Sequence, residues 1–386
     1  MNIRPFAAQF SLAIVLSALI GCQSSQPPSE VRGVWLTNVD SNVLESRENI
    51  ARAMQFLADH HFNVVFPVVW NKGFTLYQSA TMDSLFGYSI DTLYSGRDPL
   101  AELIEEAHAR GLAVIPWFEF GFSPSHEKSS RHILERKPEW AERDRDGGIV
   151  TKNGFHWMNA FRPEVQNFLR ALVIEVVENY DVDGVQGDDR LPAQPVEGGY
   201  SDYTRNLYQD EHGGSAPPAD IRDVEWVKWR AEKLTAFADK LYRDVKKLKP
   251  GITVSWSPSM YPWGLEEYLQ DWPTWIRNGS ADLVIPQVYR YTFAQYDSAL
   301  ASQAPESLGV RADACVLVPG MLLNIADYVM PEEYLKAALE LNRRKGYRGE
   351  VFFFYEGLRK DNDRVATLLL STVYKERAAF PFMTSF

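Results

Sequence analysis

Two adjacent carboxylates, Asp188 and Asp189, are the residues best placed by type and spacing to do chemistry in this chain. They close the stretch Asp181-Val182-Asp183-Gly184-Val185-Gln186-Gly187-Asp188-Asp189-Arg190, which follows a long helical pattern and reads as a short buried strand. An unpaired ionised group in apolar surroundings is costly, so both carboxylates are expected at the strand's mouth. Side chains alternate along a strand. Gly184, Gln186 and Asp188 therefore share one face, and Val185, Gly187 and Asp189 the other. If the strand is one stave of a barrel, Asp188 points at the axis and Asp189 toward the surrounding layer.

The ends of other apolar runs supply partners. The first run offers Asn38 and Asp40, the second Trp70, and the third Trp117 and Glu119. The fifth ends Trp256-Ser257-Pro258, the sixth gives Gln287 and Tyr289, and the eighth Tyr355 and Glu356. Acids ringed by Trp, Tyr, Gln and Asn suit cleavage of a glycosidic bond. One carboxyl must hold a proton for the leaving oxygen while another stays ionised beside the oxocarbenium-like centre. Asp188 is the expected anionic partner and Glu119 or Glu356 the expected acid, with Asp189 and Tyr289 assisting. Apolar neighbours would raise either Glu; an ion pair with Arg190 or Arg290 is the ordinary alternative for each. Asn38, Asp40, Trp70, Trp117, Gln186, Arg190, Trp256, Gln287 and Tyr355 are the candidate substrate-binding residues.

Such residues need a frame that gathers strand ends, and the chain alternates in that way from Val31 onward. Apolar runs at Val31–Val39, Asn63–Trp70, Leu112–Glu119, Val182–Asp188, Thr253–Ser257, Asp282–Tyr289, Cys315–Pro319 and Val351–Tyr355 predict eight strands. Helical patterns fall between them at Ser46–His61, Pro99–Arg110, Arg162–Tyr180, Val224–Leu248, Pro273–Asn278, Ala294–Ala304 and Pro331–Lys345, and Asp363–Lys375 closes the series. Nearly all-apolar strands alternating with helices are parallel strands covered on both faces. The count predicts an α/β fold, a TIM (β/α)8 barrel, and no Gly-rich fingerprint supports a Rossmann sheet. Helix-to-strand connections are terse. The strand-to-helix segments 71–98, 121–161 and 190–223 are long, so a groove is expected at the C-terminal face of the strands.

Other chemistries find less. The seven histidines fall on helices or long loops, without a His-x-His strand or a His-Glu-x-x-His helix. No metal site and no cofactor is expected. A net charge of -11 argues against a nucleic-acid partner. With 386 residues, 45% hydrophobic, there is ample material for one large core and no sign of a second domain. Oligomeric state is left open.

The first residues are not expected in the fold. Arg4 precedes an apolar run from Phe6 to Ile20, the length of a signal-peptide core and short of a membrane span. Leu19-Ile20-Gly21-Cys22 resembles the lipobox of bacterial lipoproteins, which implies residues 1–21 as a signal peptide and a lipid on the Cys22 thiol. Residues 22–30 then form a tether and residues 31–386 the barrel domain. Cell-envelope localisation follows, on the periplasmic face of the outer membrane in a Gram-negative cell. The lipid would be the only membrane contact. Cys315 is expected as an inert buried thiol.

Val31-Arg32-Gly33-Val34-Trp35-Leu36-Thr37, Trp117-Phe118-Glu119 and Asp183-Gly184-Val185-Gln186-Gly187-Asp188-Asp189 together resemble the bacterial glycosyl hydrolase-like 10 family of TIM-barrel lipoproteins. The resemblance runs from about Val31 to Phe354. It implies a glycoside hydrolase of the cell envelope, with peptidoglycan glycan strands stripped of peptides as one known kind of substrate. The fourth strand is also similar to the alpha-amylase motif, whose nucleophile falls on Asp188. In the chitinase family 18 pattern the assisting Asp falls there too, but the acid position holds Arg190. The segment 253–259 carries no amylase-type acid, and Arg290 replaces the Asp that follows the chitinase strand-six Tyr, here Tyr289.

The expectation is thus a hydrolase for a cell-envelope polysaccharide, foremost the N-acetylated strands of peptidoglycan. A non-catalytic glycan-binding barrel and a hydrolase for an alpha-glucan or exopolysaccharide are the rivals.

Overall fold

The computed structural model describes residues 28–127 and 129–383. The leader, the lipobox Cys22 and most of the tether lie outside the described residues. Eight parallel strands form the centre: β1 (Val31–Leu36), β2 (Val64–Pro67), β3 (Ala113–Val114), β4 (Gly184–Gly187), β5 (Thr253–Trp256), β6 (Leu283–Val284), β7 (Val316–Leu317, resumed at Gly320–Leu322) and β8 (Gly349–Phe353). They pair in chain order from β1 to β3 and from β4 to β6. The first half of β7 pairs with β6, its second half pairs with β8, and β8 returns to β1.

The gap between β3 and β4 is bridged at Trp117 and Gln186, and Gln287 bridges to Gly320 beside β7. Phe118 N–H donates to Gln186 O at 2.9 Å and Gln186 N–H to Pro116 O at 2.8 Å. These bonds close the barrel. Every residue of β1, β2, β4 and β5 is buried, as strands covered on both faces must be.

The outer ring is α1 (Arg47–Asp59), α2 (Pro99–His108), α3 (Pro163–Asn179), α4 (Val224–Leu248), α5 (Trp272–Arg277), α6 (Phe293–Ser302), α7 (Glu332–Arg344) and α8 (Tyr355–Ser371). A turn at Lys360–Asp363 interrupts α8. On α4, Trp226, Leu234, Phe237, Leu241 and Val245 recur at helical spacing and are all buried. Ser46, Asp98, Asp223 and Thr292 cap their helices by accepting the N–H three residues on. Each cap contributes about 1 kcal/mol.

Two aspartates secure the N-terminal end of the barrel. Asp183 Oδ2 accepts from Val114 N–H at 2.8 Å and contacts His108 Nε2 at 2.9 Å. Asp282 Oδ2 accepts from Val254 N–H at 2.8 Å. Ser29 and Glu30, expected in the tether, are held at this same end: Ser29 bridges to Ala379, and Glu30 pairs with Arg32.

The long strand-to-helix loops carry small elements of their own. A hairpin joins Trp70–Asn71 to Phe74–Thr75, a three-stranded sheet is built from Ser125–His126, Thr151–Lys152 and Phe155–His156, and a helix spans Asp202–Glu211. A further hairpin, Asn324–Ile325 with Tyr328–Val329, follows β7. Among the described residues no helix is long and apolar enough to cross a membrane.

Candidate active site

Three carboxyls meet around one guanidinium at the C-terminal mouth of β3 and β4. Arg190 Nη2 lies 3.5 Å from Asp188 Oδ2 and 3.6 Å from Glu119 Oε1, while Nη1 lies 3.2 Å from Asp189 Oδ1. Glu119 and Asp188 contact the same nitrogen, so their nearer oxygens can be no further apart than the sum of those two distances. That ceiling lies below the upper limit, about 9.5 Å, at which two carboxyls cooperate on a glycosidic bond.

Asp188 sits at the bottom of this cluster. Trp117 Nε1–H donates to its Oδ2 at 3.0 Å and Arg190 N–H to its Oδ1 at 2.9 Å. Its side chain is 0% exposed, against 15% for Glu119 and 25% for Asp189. Asp188 thus faces the barrel mouth but is roofed by Arg190, while Glu119 and Asp189 have open surface. Asp189 was expected toward the outer layer. It joins the cluster because β4 ends at Gly187 and strand alternation ends with it.

Burial raises the Asp188 carboxyl well above the ordinary range; Arg190 opposes the rise, and Asp189 and Glu119 add to it. Glu119 is raised as well, by burial first, against Arg190 and a hydrogen bond from Asn71 Nδ2. Like charges this close disfavour simultaneous ionisation, so both carboxyls are biased toward their protonated forms. Burial also works against the Arg190 charge, but Asp189, Asp188 and Glu119 outweigh it and keep the guanidinium protonated.

Arg190 is clamped from several sides. Its guanidinium lies 4.7 Å from the Phe155 ring and 5.5 Å from the Phe120 ring, and its Nε–H donates to Glu119 O at 2.9 Å. Phe122 N–H donates to Arg190 O at 2.9 Å. The turn leading there needs Gly121, whose φ is +46° and whose added Cβ would stand 2.2 Å from Arg190 O. Gln270 donates to Asp188 O at 2.8 Å and Pro192 O at 3.1 Å, tying this loop to the one after β5.

An aromatic pavement lies beneath the mouth, with Trp35 and Trp117 buried in it, so neither can be a sugar platform. Trp35, Trp117 and Phe353 lie mutually 6.2–6.3 Å apart, and Tyr289 sits 5.4 Å from Phe353. Burial raises the Tyr289 hydroxyl well above its usual value, and Asp189 and Asp188 raise it further, so it stays a donor. Gln287 is half-buried, with Nε2–H donating to Ser257 O at 3.1 Å. Asn38 is half-buried and Asp40 exposed on the β1 side.

Several expected site residues stand elsewhere. Trp256 faces the helical layer, its ring 5.4 Å from Trp275 and its indole donating to Ser280 O at 2.8 Å. Trp70 packs 5.6 Å from Phe168 of α3, and Tyr355 packs 5.9 Å from Phe56 of α1. None of these three can be a sugar platform. Gln186 faces the axis, but its amide is spent inside the barrel, accepting from Trp35 Nε1–H at 2.7 Å and donating to Ser255 Oγ at 2.9 Å. Glu356 stands on the rim between β8 and β1, accepting from Ser41 Oγ at 2.8 Å, and is not part of the Arg190 cluster. Trp35, Asn71, Phe155 and Phe353 were not anticipated. Trp35 lies in the quoted β1 run, whereas Asn71 and Phe155 come from two-residue loop strands that leave no periodic signal.

A model of the family described as glycosyl hydrolase-like 10 matches residues 30–321. The chain belongs to that family. Among curated proteins it is 28% identical over 306 residues to the glycosyl hydrolase DigH of Escherichia coli, covering 69% of this chain and 66% of that protein, just under two thirds of its length. It is 23% identical over 401 residues to the glycosyl hydrolase YngK of Bacillus subtilis, covering 93% of this chain and 75% of that one. The fold is similar to the PgaB (BpsB) glycoside hydrolase domain from Bordetella bronchiseptica, with a TM-score of 0.64, 13% identity, and 89% and 99% of the two chains covered. The catalytic domain of beta-amylase from Paenibacillus polymyxa gives a TM-score of 0.61 at 11% identity, covering 90% and 99%. At such identities these structures speak for the fold, a TIM barrel.

Proposed function

We propose that this member hydrolyses a polysaccharide of the bacterial cell envelope, foremost the N-acetylated glycan strands of peptidoglycan, from a lipid anchor at Cys22. The observation that carries the chemistry is the Arg190 cluster, in which a raised, reachable Glu119 stands beside an aspartate pair that one guanidinium holds in place. Glu119 gives its proton to the glycosidic oxygen as the bond from the anomeric carbon breaks. Asp189, at the open surface, balances the positive charge that develops there, while Asp188, beneath, holds Arg190 and Trp117 in place. Water then adds its hydroxyl to the anomeric carbon, and its proton returns to a carboxylate of the cluster. Such a proton transfer contributes about 10²–10⁴-fold to rate. Tyr289, kept protonated, is suited to donate to a ring substituent such as an acetamide carbonyl.

The part-buried rings of Phe353 and Tyr289 support a carbohydrate substrate, since the apolar faces of sugars pack on rings, and the lipobox-like leader supports the envelope. The test is release of soluble fragments from purified peptide-free glycan strands by the wild-type chain and by Glu119→Gln. No release by the wild-type chain, with release from an alpha-glucan instead, would replace this substrate by the other.

A further inference from the structure

On the β8–β1 side of the mouth lies a pocket of about 370 Å³ whose lining includes Asp40, Asn324, Ile325, Phe354, Glu356, Arg359 and Lys360. Phe354 follows Phe353, whose ring touches Tyr289 and Trp117, so pocket and acid cluster are neighbours on one rim.

The lining of the pocket suits a polar ligand without net charge. Two carboxylates, Asp40 and Glu356, stand with Lys360 and with Arg359, which Asp363 pairs at 2.7 Å, so the lining offers both acceptors and donors. Ile325, 45% exposed on the hairpin after β7, supplies an apolar wall.

We propose that this pocket is a saccharide subsite that takes an uncharged hexopyranose or N-acetylhexosamine unit of the glycan, one or more sugars away from the bond being cleaved. Its volume accommodates a sugar ring, and its mixed lining of carboxylates and cations matches vicinal hydroxyls. Glu356 therefore works as a binding carboxylate held by Ser41, not as the proton donor. The inference rests on the glycan-hydrolase reading and extends it.

Oligosaccharides of graded length, prepared from peptide-free glycan strands, test it. In the wild-type chain kcat/KM rises about tenfold once the oligomer is long enough to reach the pocket. Asp40→Asn, Glu356→Gln and Asn324→Ala each lower the ratio of kcat/KM for the longer over the shortest cleaved oligomer by about tenfold, through KM. Asp40 and Glu356 are not fully buried, so their variants are expected to fold even if Asn324→Ala does not, with thermal melting as the check. An unchanged ratio, or an equal loss of kcat on short and long oligomers with Glu356→Gln, overturns the subsite. If the wild-type chain cleaves no oligomer, the hydrolase reading fails separately. Calorimetric binding of the longer oligomer, weakened about tenfold by the same substitutions, would then still support the subsite, and unweakened binding would overturn it.

Discussion

The indole of Trp117 donates to the carboxylate of Asp188 at 3.0 Å, across the seam where β3 and β4 meet. The same ring packs on Trp35 and Phe353, so the aromatic pavement and the acid cluster share one residue. Trp117→Phe keeps the packing and deletes the donor. A buried acceptor left short of a donor costs about 1–3 kcal/mol. The expected outcome is a drop of at least tenfold in kcat on glycan strands, accompanied by a lowered Tm; unchanged kcat would show that Asp188 does not need the indole.

Glu119 must be protonated to act as the acid, and burial raises its carboxyl above 4.5, its ordinary value. Activity is therefore expected to fall on the alkaline side as pH climbs through that raised value. Glu119→Gln should lose about 10²–10⁴-fold in kcat and abolish that limb in whatever activity remains. A pH–rate profile unchanged in the variant would remove Glu119 from the acid role.

Asp188 and Asp189 differ in exposure, and their amides should behave differently. Asp188→Asn removes the buried carboxyl beneath Arg190 and leaves the guanidinium with two carboxyl partners; kcat is expected to fall by about 10² or more, with little change in KM. Asp189→Asn, at the open surface, should raise KM as well. Steady-state kinetics on one glycan separates the two.

Gly121 allows the loop after β3 to lie against the Arg190 backbone. Gly121→Ala meets both the positive φ and the 2.2 Å approach, so the loop must shift. A destabilisation of at least about 1–2 kcal/mol is expected, with loss of activity larger than the Tm change alone explains, because Arg190 moves with the loop.

His108 is raised above its ordinary 6.5 by its hydrogen bond to Asp183, with burial opposing. The folded chain binds this proton more tightly than the unfolded chain. The stabilisation is complete below pH 6.5 and is lost as pH rises through the higher folded value. His108→Gln should flatten the Tm-versus-pH curve in that window while leaving the mouth chemistry unchanged, since the pair lies at the opposite end of the barrel.

Strand and helix order were legible because β1, β2, β4 and β5 are buried on both faces and helices such as α4 keep a regular apolar stripe. Side-chain direction at strand ends was legible only while alternation lasted. Gln186 reaches Ser255, which places Ser255 on the axis and turns Trp256 outward; a slip of one residue reversed its expected face. Tyr355 begins α8 and Trp70 begins a hairpin, so period two no longer applies to either. The Asp188, Glu119 and Arg190 cluster could be anticipated from strand order, since β3 and β4 are neighbours. Asn71 and Phe155 could not, because two-residue strands inside long loops take their positions from the surfaces they land on.

The pairing of Ser29 with Ala379 gives the chain a handle and a working end. That contact lies where β1 begins, a full barrel height from Arg190. Whatever grips the residues ahead of Pro28 grips the molecule by its closed base. A leash fastened there would leave the mouth turned away from its point of attachment.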